Sequence, residues 1–370
     1  MKMTKFLYFL VPVLFLTSCN GDDDGGIIRT PPRELSEVVI EDDADIQAFL
    51  RTHFYNYEEF QTPPADFDFR IVIDTIAGEN ADKTPLIDQV GVGVGTLQSD
   101  QVSISASDFL LDGEENISHT YYYLIAREGA GASPTVGDST FVRFKGTALI
   151  DDGSLMDFDE VAAGGVWFDL PIFQIPGRGD QRAFRGVGEG LQQLRGGGAI
   201  IDNPDGTFEI QDFGVGIVIF PSGLGTFDGF RAPIPQYTPL IFTLELLVVE
   251  QADHDNDGIP SFMEDVDGDG LLFNDNTDDD RDALGALISN YLDPDDDGDG
   301  IPTSDEIMVD SEGLITFLDT DNDQTPDYLD NDDDNDGRPT IEEILFNSDG
   351  TIDTPDSDGD GTPDYLDADS

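Results

Sequence analysis

The stretch Gly137-Asp138-Ser139-Thr140-Phe141-Val142-Arg143-Phe144-Lys145-Gly146 decides how the middle of this chain folds. Its Phe141 to Gly146 form the centre of a strand over Ser139–Leu149, one of several β-rich segments separated by Gly and Pro turns. Before it, 121–127 reads as a strand and 129–137 as a loop; after it, 166–170 reads as a strand. Residues 185–195 set Val187, Leu191 and Leu194 at helical spacing and stop at Gly196-Gly197-Gly198, so a short helix is expected there. Residues 216–220 and 240–249 close the sheet. One short helix against a small antiparallel sheet is an α+β domain, expected over 118–251.

These residues resemble a known family, the FKBP-type peptidyl-prolyl cis-trans isomerases. Gly137-Asp138 followed by Phe141-Val142-Arg143-Phe144-Lys145-Gly146 is similar to the family segment in which a valine, a polar residue and an aromatic precede Thr/Lys-Gly. Asp152-Gly153 and then Asp157 resembles the turn that delivers a Phe-Asp pair. Phe184-Arg185-Gly186-Val187-Gly188-Glu189-Gly190-Leu191 resembles the entry to the family helix. Ile219-Phe220-Pro221-Ser222-Gly223-Leu224-Gly225 resembles its Ile-Pro-x-x-Leu-x-Tyr-Gly loop. Ile234-Pro235 and then 240–247 resembles its Ile-Pro-Pro loop and closing strand.

The resemblance implies an FKBP-like sheet wrapped on a short helix and isomerase action on X-Pro bonds of proline-containing exported polypeptides, with no cofactor for catalysis. Rotation about such a bond faces a barrier of about 18–20 kcal/mol because amide resonance is lost. A twisted amide is less polar than a planar one, so a dry apolar cup favours the transition state. Carried over by position, Phe144, Phe184, Val187, Ile234 and Phe242 line that cup, with Phe168 or Trp167 on one wall. The family's pocket aspartate falls on Asp157, or on Asp159 if the pair is Phe158-Asp159. Two departures bear on turnover. Val187 stands where a tryptophan usually floors the pocket, and Thr226 stands where the loop tyrosine falls, with Phe227 or Phe230 able to turn into the space. Inserts at 171–181 and 201–212 lengthen the rim. The competing reading is an FKBP-like module that binds peptide without turnover.

The last third repeats Asp-x-Asp-x-Asp-Gly. Asp253, Asp255, Asp257, Ile259 and Glu264 occupy positions 1, 3, 5, 7 and 12 of a calcium loop around Gly258. The same pattern recurs as Asp295, Asp297, Asp299, Ile301 and Glu306, as Asp332, Asp334, Asp336, Arg338 and Glu343, and as Asp356, Asp358, Asp360, Thr362 and Asp367. Two looser copies are Asp265, Asp267 and Asp269, ending on Asn276, and Asp319, Asp321, Asp323 and Asp330, with Gln324 in place of glycine. Alternate carboxylates wrap a hard cation in oxygen, the glycine permits the sharp turn, and the last acid closes the shell. Proline at position 8 in five copies lacks the N–H that EF-hand pairs use to join their loops. With Pro-Asp-Tyr-Leu-Asp at 326–330 and 363–367, the region resembles thrombospondin type 3 repeats. That implies an irregular array with little secondary structure, wound around calcium ions.

Composition agrees with a cation partner. The net charge is -62, and residues 253–370 hold 40 of the 79 acidic residues but 2 of the 17 Lys and Arg. No basic patch exists for nucleic acid. The N-terminus pairs Lys2 and Lys5 with an apolar run over 6–16, a secretion signal expected to occupy 1–18. Cys19, the one cysteine, follows Leu16-Thr17-Ser18 as in a lipoprotein lipobox, so lipidation and a membrane anchor in the cell envelope are expected, on an outer-membrane lipoprotein facing the periplasm or the cell surface. Residues 19–42 read as an acidic tether. In the extension over 43–117, Ile46, Phe49, Leu50 and Phe54 predict a helix over 42–56 with aspartates at its start, and 67–76 predicts a strand. His53 and His119 read as structural. Residues 252–370 form the calcium region, whose role as an adhesive or spacer arm is the third functional reading.

Overall fold

The strand read around Phe141 runs Ser139–Leu149 in the computed structural model, which describes residues 31–91, 93–175, 184–204, 206, 208–281, 283 and 285–370. The signal segment and Cys19 lie outside the described residues, as does part of the first insert. The helices are α1 (Leu35–Thr52), α2 (Tyr57–Gln61) and α3 (Arg185–Gln192). The strands are β1 (His53–Tyr55), β2 (Ile73–Thr75), β3 (Leu97–Ile104), β4 (Ile117–Arg127), β5 (Ser139–Leu149), β6 (Leu155–Asp169), β7 (Ile200–Asp202), β8 (Phe208–Ile210), β9 (Gly214–Phe220) and β10 (Leu240–Glu250), followed by β11 (Ile307–Val309), β12 (Ile315–Phe317), β13 (Leu345–Phe346) and β14 (Ile352–Asp353).

Six strands form one antiparallel sheet in the order β3-β4-β9-β10-β5-β6. Its central strands are apolar at consecutive positions, which is the pattern of a sheet covered on both faces. Along β9, Val218 and Phe220 join the core beneath α3, while Ile217 and Ile219 point to the other face and meet Ile46, Phe49 and Leu50 of α1. Helix α3 lies close on the sheet because two of its three glycines face it. A Cβ on Gly186 would fall 2.2 Å from the Phe220 ring, and one on Gly190 would fall 2.7 Å from Val218. The extension is therefore the second cover of the sheet.

Three expectations change. Helix α1 begins at Leu35, not near Asp42, because Leu35 and Val38 continue its buried stripe. Asp42 lies in mid-helix on that stripe, 3% exposed, and its Oδ2 accepts from the Ser222 N–H (2.7 Å) and hydroxyl (2.6 Å). The strand expected over 67–76 shrinks to Ile73–Thr75, since Phe69 adopts φ +59° and its ring lies 5.0 Å from Phe67, tilted, and under the Arg127 guanidinium. The extension over 43–117, read as one helix and one strand, also contributes β3, which pairs with β4 along its whole length.

The aspartate loops share one local build. Position 4 is Asn or Gly in every copy and has positive φ, as at Asn256 (66°) and Gly298 (70°), and so does position 6. The position-5 carboxylate accepts the position-7 N–H, as in Ile259 to Asp257 and Ile301 to Asp299, both 2.7 Å. Proline at position 8 opens a 3₁₀ turn, such as Ser261–Glu264 or Thr303–Asp305. The position-9 side chain then accepts the N–H of position 2: His254 to Ser261, Asp296 to Thr303, Thr320 to Asp327, Asp333 to Thr340 and Ser357 to Asp364. The array is thus a series of stapled turns with the short ladders β11–β12 and β13–β14, and a small core of Ile259, Ile307 and Tyr328.

Arg33–Ser370 form one compact unit. At the junction, Gln174 donates from Nε2 to the Gly270 carbonyl (2.6 Å) and accepts at Oε1 from the Leu272 N–H (3.2 Å). A Cβ on Gly137 would fall 2.5 Å from the backbone nitrogen of Phe262, so the first loop lies against the start of β5.

Burial raises the Asp42 carboxyl to about 7 against the opposing hydrogen bonds from Ser222. Its folded value lies above its unfolded one, so the folded state holds the extra proton; stability is full near pH 4 and is lost as pH rises through 7. Asp42→Asn keeps both acceptor contacts and should remove about 2–3 kcal/mol of pH dependence, read as the wild-type minus variant difference in urea unfolding between pH 5 and 8. Thr303→Val leaves the buried Asp296 N–H without its acceptor. It should cost about 1–3 kcal/mol and speed hydrogen exchange at that amide.

Candidate functional site

The α+β part gathers aromatic rings where β5, β6, β10 and the entry to α3 meet. Phe242 is the hub, with ring centroids 5.8 Å from Phe144, 5.5 Å from Phe184, 5.7 Å from Phe158 and 5.9 Å from Phe220. The register sets this, since Gly146 lies opposite Phe242 and leaves room for Phe158, whose ring would stand 2.6 Å from a Cβ there. Val187 and Ile234 are buried in the same core. Phe168 faces Phe144 at 5.8 Å, whereas Trp167 lies against Phe141 and is half exposed. Phe144, Phe158 and Phe168 remain partly exposed, and the Arg231 guanidinium sits 4.5 Å from the Phe184 ring centre. Phe227 is buried among Phe109 and Tyr237, and Phe230 points to solvent.

The two candidate aspartates are not in this cluster. Asp157 and Asp159 are exposed on β6, and the ring between them, Phe158, is what turns inward. Desolvation works against the Asp157 charge, but bonds from Lys145 Nζ (2.7 Å) and Thr147 Oγ1 (2.9 Å) outweigh it and hold the carboxyl below its usual range. What the cluster offers chemically is a half-open apolar surface with no acid, base or nucleophile in it. Away from it, a cleft of about 880 Å³ is lined by Phe69, Arg127, Arg143, Phe208 and Phe213, its arginines paired with Asp212 and Glu245.

The loops bring carboxylates together far more tightly. Ligand-capable oxygens of Asp253, Asp255 and Asp257 lie within 4.8 Å of one another, as do those of Asp265, Asp267 and Asp269. The third loop contributes Asp297, Asp299 and Glu306, joined by Asp333, and Asp257 and Glu264 are joined by Asp296. A further group is Asp278, Asp280 and Asp293, which lies outside the repeat. In the second loop it is Asp275, not Asn276, that turns in; it accepts the Val266 N–H while its other oxygen is buried without a partner. Asp319, Asp332 and Asp334 also hold buried oxygens without partners. Asp356, Asp358 and Asp360 of the sixth loop are exposed.

Charge has nowhere to go in the central loops. Burial first, and then the neighbouring carboxylates, push Glu264 up to about 10, Glu306 to about 11, Asp296 and Asp333 to about 9 and Asp297 to about 8. Both oxygens of Glu264, Asp296 and Asp333 are buried without a hydrogen-bond partner. An all-oxygen donor set of this kind fits a hard divalent cation with flexible coordination. Position 4 carried a signal in the sequence, an unbroken Asn/Gly column. Asp296 and Asp333 carried none, each being one acid within a run of acids.

Residues 254–317 match the family model described as BamM C-terminal, a smaller part of the chain than the loop region; thrombospondin type 3 repeats are not what matches. No curated protein matches. Among solved structures, FkpA from Escherichia coli is 23% identical over 35% of this chain and 48% of its own, with a TM-score of 0.25, so the chain spans about half of FkpA. A peptidyl-prolyl cis-trans isomerase from Pseudomonas syringae is 21% identical over 35% of this chain and 76% of its own, with a TM-score of 0.25. The N-terminal domain of FKBP42 from Arabidopsis thaliana is 12% identical over 38% of this chain and 98% of its own, with a TM-score of 0.26.

Proposed function

We propose that this chain is an envelope protein, anchored through a lipid on Cys19, that binds X-Pro segments of exported polypeptides at the Phe144–Phe242 aromatic cluster and isomerises them slowly, with its loop array stiffened by calcium. The observation that carries the isomerase reading is the convergence of Phe144, Phe168, Phe184, Val187, Ile234 and Phe242 in one apolar cluster beside the helix entry. Such a surface needs no nucleophile to favour a twisted amide. Slow turnover follows from Val187, a smaller floor than an indole. A binding module without turnover is the second reading, and the observation in its favour is the Phe158 ring, which occupies space between Phe184 and Phe242.

Calcium is supported by the buried carboxylate oxygens that lack partners. Asp253, Asp255, Asp257 and the Ile259 carbonyl would hold one ion, and Asp295, Asp297, Asp299 and the Ile301 carbonyl another, each closed by the position-12 acid. No described helix is long and apolar enough to cross a membrane, so the anchor in this reading is the lipid. Mass spectrometry of the mature N-terminus reads that directly.

In a protease-coupled isomerisation assay, the full chain in calcium should accelerate X-Pro rotation above background. Phe144→Ala and Phe168→Ala, both at partly exposed rings, should reduce the rate about tenfold or more by opening the surface to water. Peptide binding by fluorescence with no acceleration leaves the binding-module reading standing; neither binding nor rate removes the site. Separately, chelation should expand the last third of the chain and expose it to protease, and calcium at about 0.1–1 mM should restore protection. Identical hydrogen exchange with and without calcium would sink the calcium reading.

A further inference from the structure

The third and fifth loops differ from the rest at position 2. There stand Asp296 and Asp333, whereas the other loops carry His254, Val266, Thr320 and Ser357. Neither acid belongs to the Asp-x-Asp-x-Asp pattern, and both are buried, 1% and 2% exposed, with neither oxygen partnered. Each is aimed out of its own loop. Asp296 meets Asp257 and Glu264 of the first loop, and Asp333 meets Asp297, Asp299 and Glu306 of the third, all within 4.8 Å. The two groups repeat one construction: the position-12 glutamate and position-5 aspartate of one full loop receive the position-2 aspartate of the full loop after next in sequence. The second and fourth loops are passed over. The first loop has no predecessor to reach, and its position 2 is His254.

The staple at position 9 makes this possible. Thr303 and Thr340, both fully buried, take the backbone N–H of Asp296 and Asp333 and so fix where each side chain leaves the loop. Three or four carboxylates brought together in a buried space, with no Lys or Arg among them, have one means of remaining ionised there, a shared cation. Glu264, at 0% exposed with both oxygens unpartnered, lies within 4.8 Å of both Asp257 of its own loop and Asp296.

We infer that Asp257, Glu264 and Asp296, and likewise Asp297, Asp299, Glu306 and Asp333, form two bridging calcium sites that join the first loop to the third and the third to the fifth. The inference rests on the calcium reading of the loops and goes beyond it, because each bridging site takes its ligands from two loops. The array then binds calcium cooperatively, since filling one bridge orders ligands of the next.

Native mass spectrometry of the full chain in calcium should count one ion fewer in Asp296→Asn and one fewer in Asp333→Asn than in the wild type, with Glu312→Gln, an exposed acid in the β11–β12 turn, unchanged. The calcium midpoint for hydrogen-exchange protection at the first loop should rise about tenfold in Asp296→Asn and its steepness should fall. A folded Asp296→Asn chain with the wild-type ion count and midpoint overturns the inference, while a wild type that binds no calcium fails the loop reading itself. If the variant does not fold, anomalous diffraction from wild-type crystals soaked in a lanthanide decides: a peak coordinated by both Glu264 and Asp296 is expected, and peaks confined to the loop centres overturn it.

Discussion

Carboxylates that leave water together must be neutralised, and the whole C-terminal third is arranged around that requirement. Removing an ionised carboxylate from solvent costs several kcal/mol even after relaxation, and a second one alongside adds repulsion. Glu264, Asp296, Asp297, Asp299, Glu306 and Asp333 are all buried, and two basic residues serve the entire region. An acidic segment left to itself would expand into solvent. Here it folds back into stapled turns in which one oxygen of the position-5 acid is spent on the backbone, and in the first and third loops the other is buried. The apolar contribution is slight, a cluster about Ile259, Ile307 and Tyr328. Order in this region is therefore electrostatic order.

The α+β part obeys a different constraint, a sheet with two apolar faces. Helix α3 covers one through its glycines and α1 covers the other. That division explains what could be read in advance. The strands at 214–220 and 240–250 stood out because buried strands are apolar at consecutive positions, 139–149 stood out by its Phe-Val-x-Phe run between turns, and α3 stood out by its spacing. The start of α1 was hidden by Asp42, a buried acid on an apolar stripe, which in a sequence looks like a helix beginning. Edge strand β3, Leu-Gln-Ser-Asp-Gln-Val-Ser-Ile, is polar on one side and short of signal.

The same contrast governs the sites. Acids at alternate positions with a glycine after them are legible because the turn geometry demands them, and the aromatic positions are legible because they fall in strands and at a helix entry. Which face of β6 an aromatic takes depends on the register shift between Gly146 and Thr147, and no local pattern announces it. Phe158 therefore reaches the cluster while the acids on either side of it stay in solvent. Asp296 and Asp333 were illegible for a simpler reason: their meaning lies in a loop dozens of residues earlier.

Gln174 grips the second loop with both ends of its amide, and the residue before it, Phe173, has its ring 5.3 Å from Phe168. The rim of the aromatic cluster and the backbone of the second aspartate loop are consequently two ends of one short lever. Whatever sets the shape of that turn also sets how Phe173 lies against Phe168, so in the proposed calcium reading the ion would act mechanically on the surface proposed to meet a polypeptide.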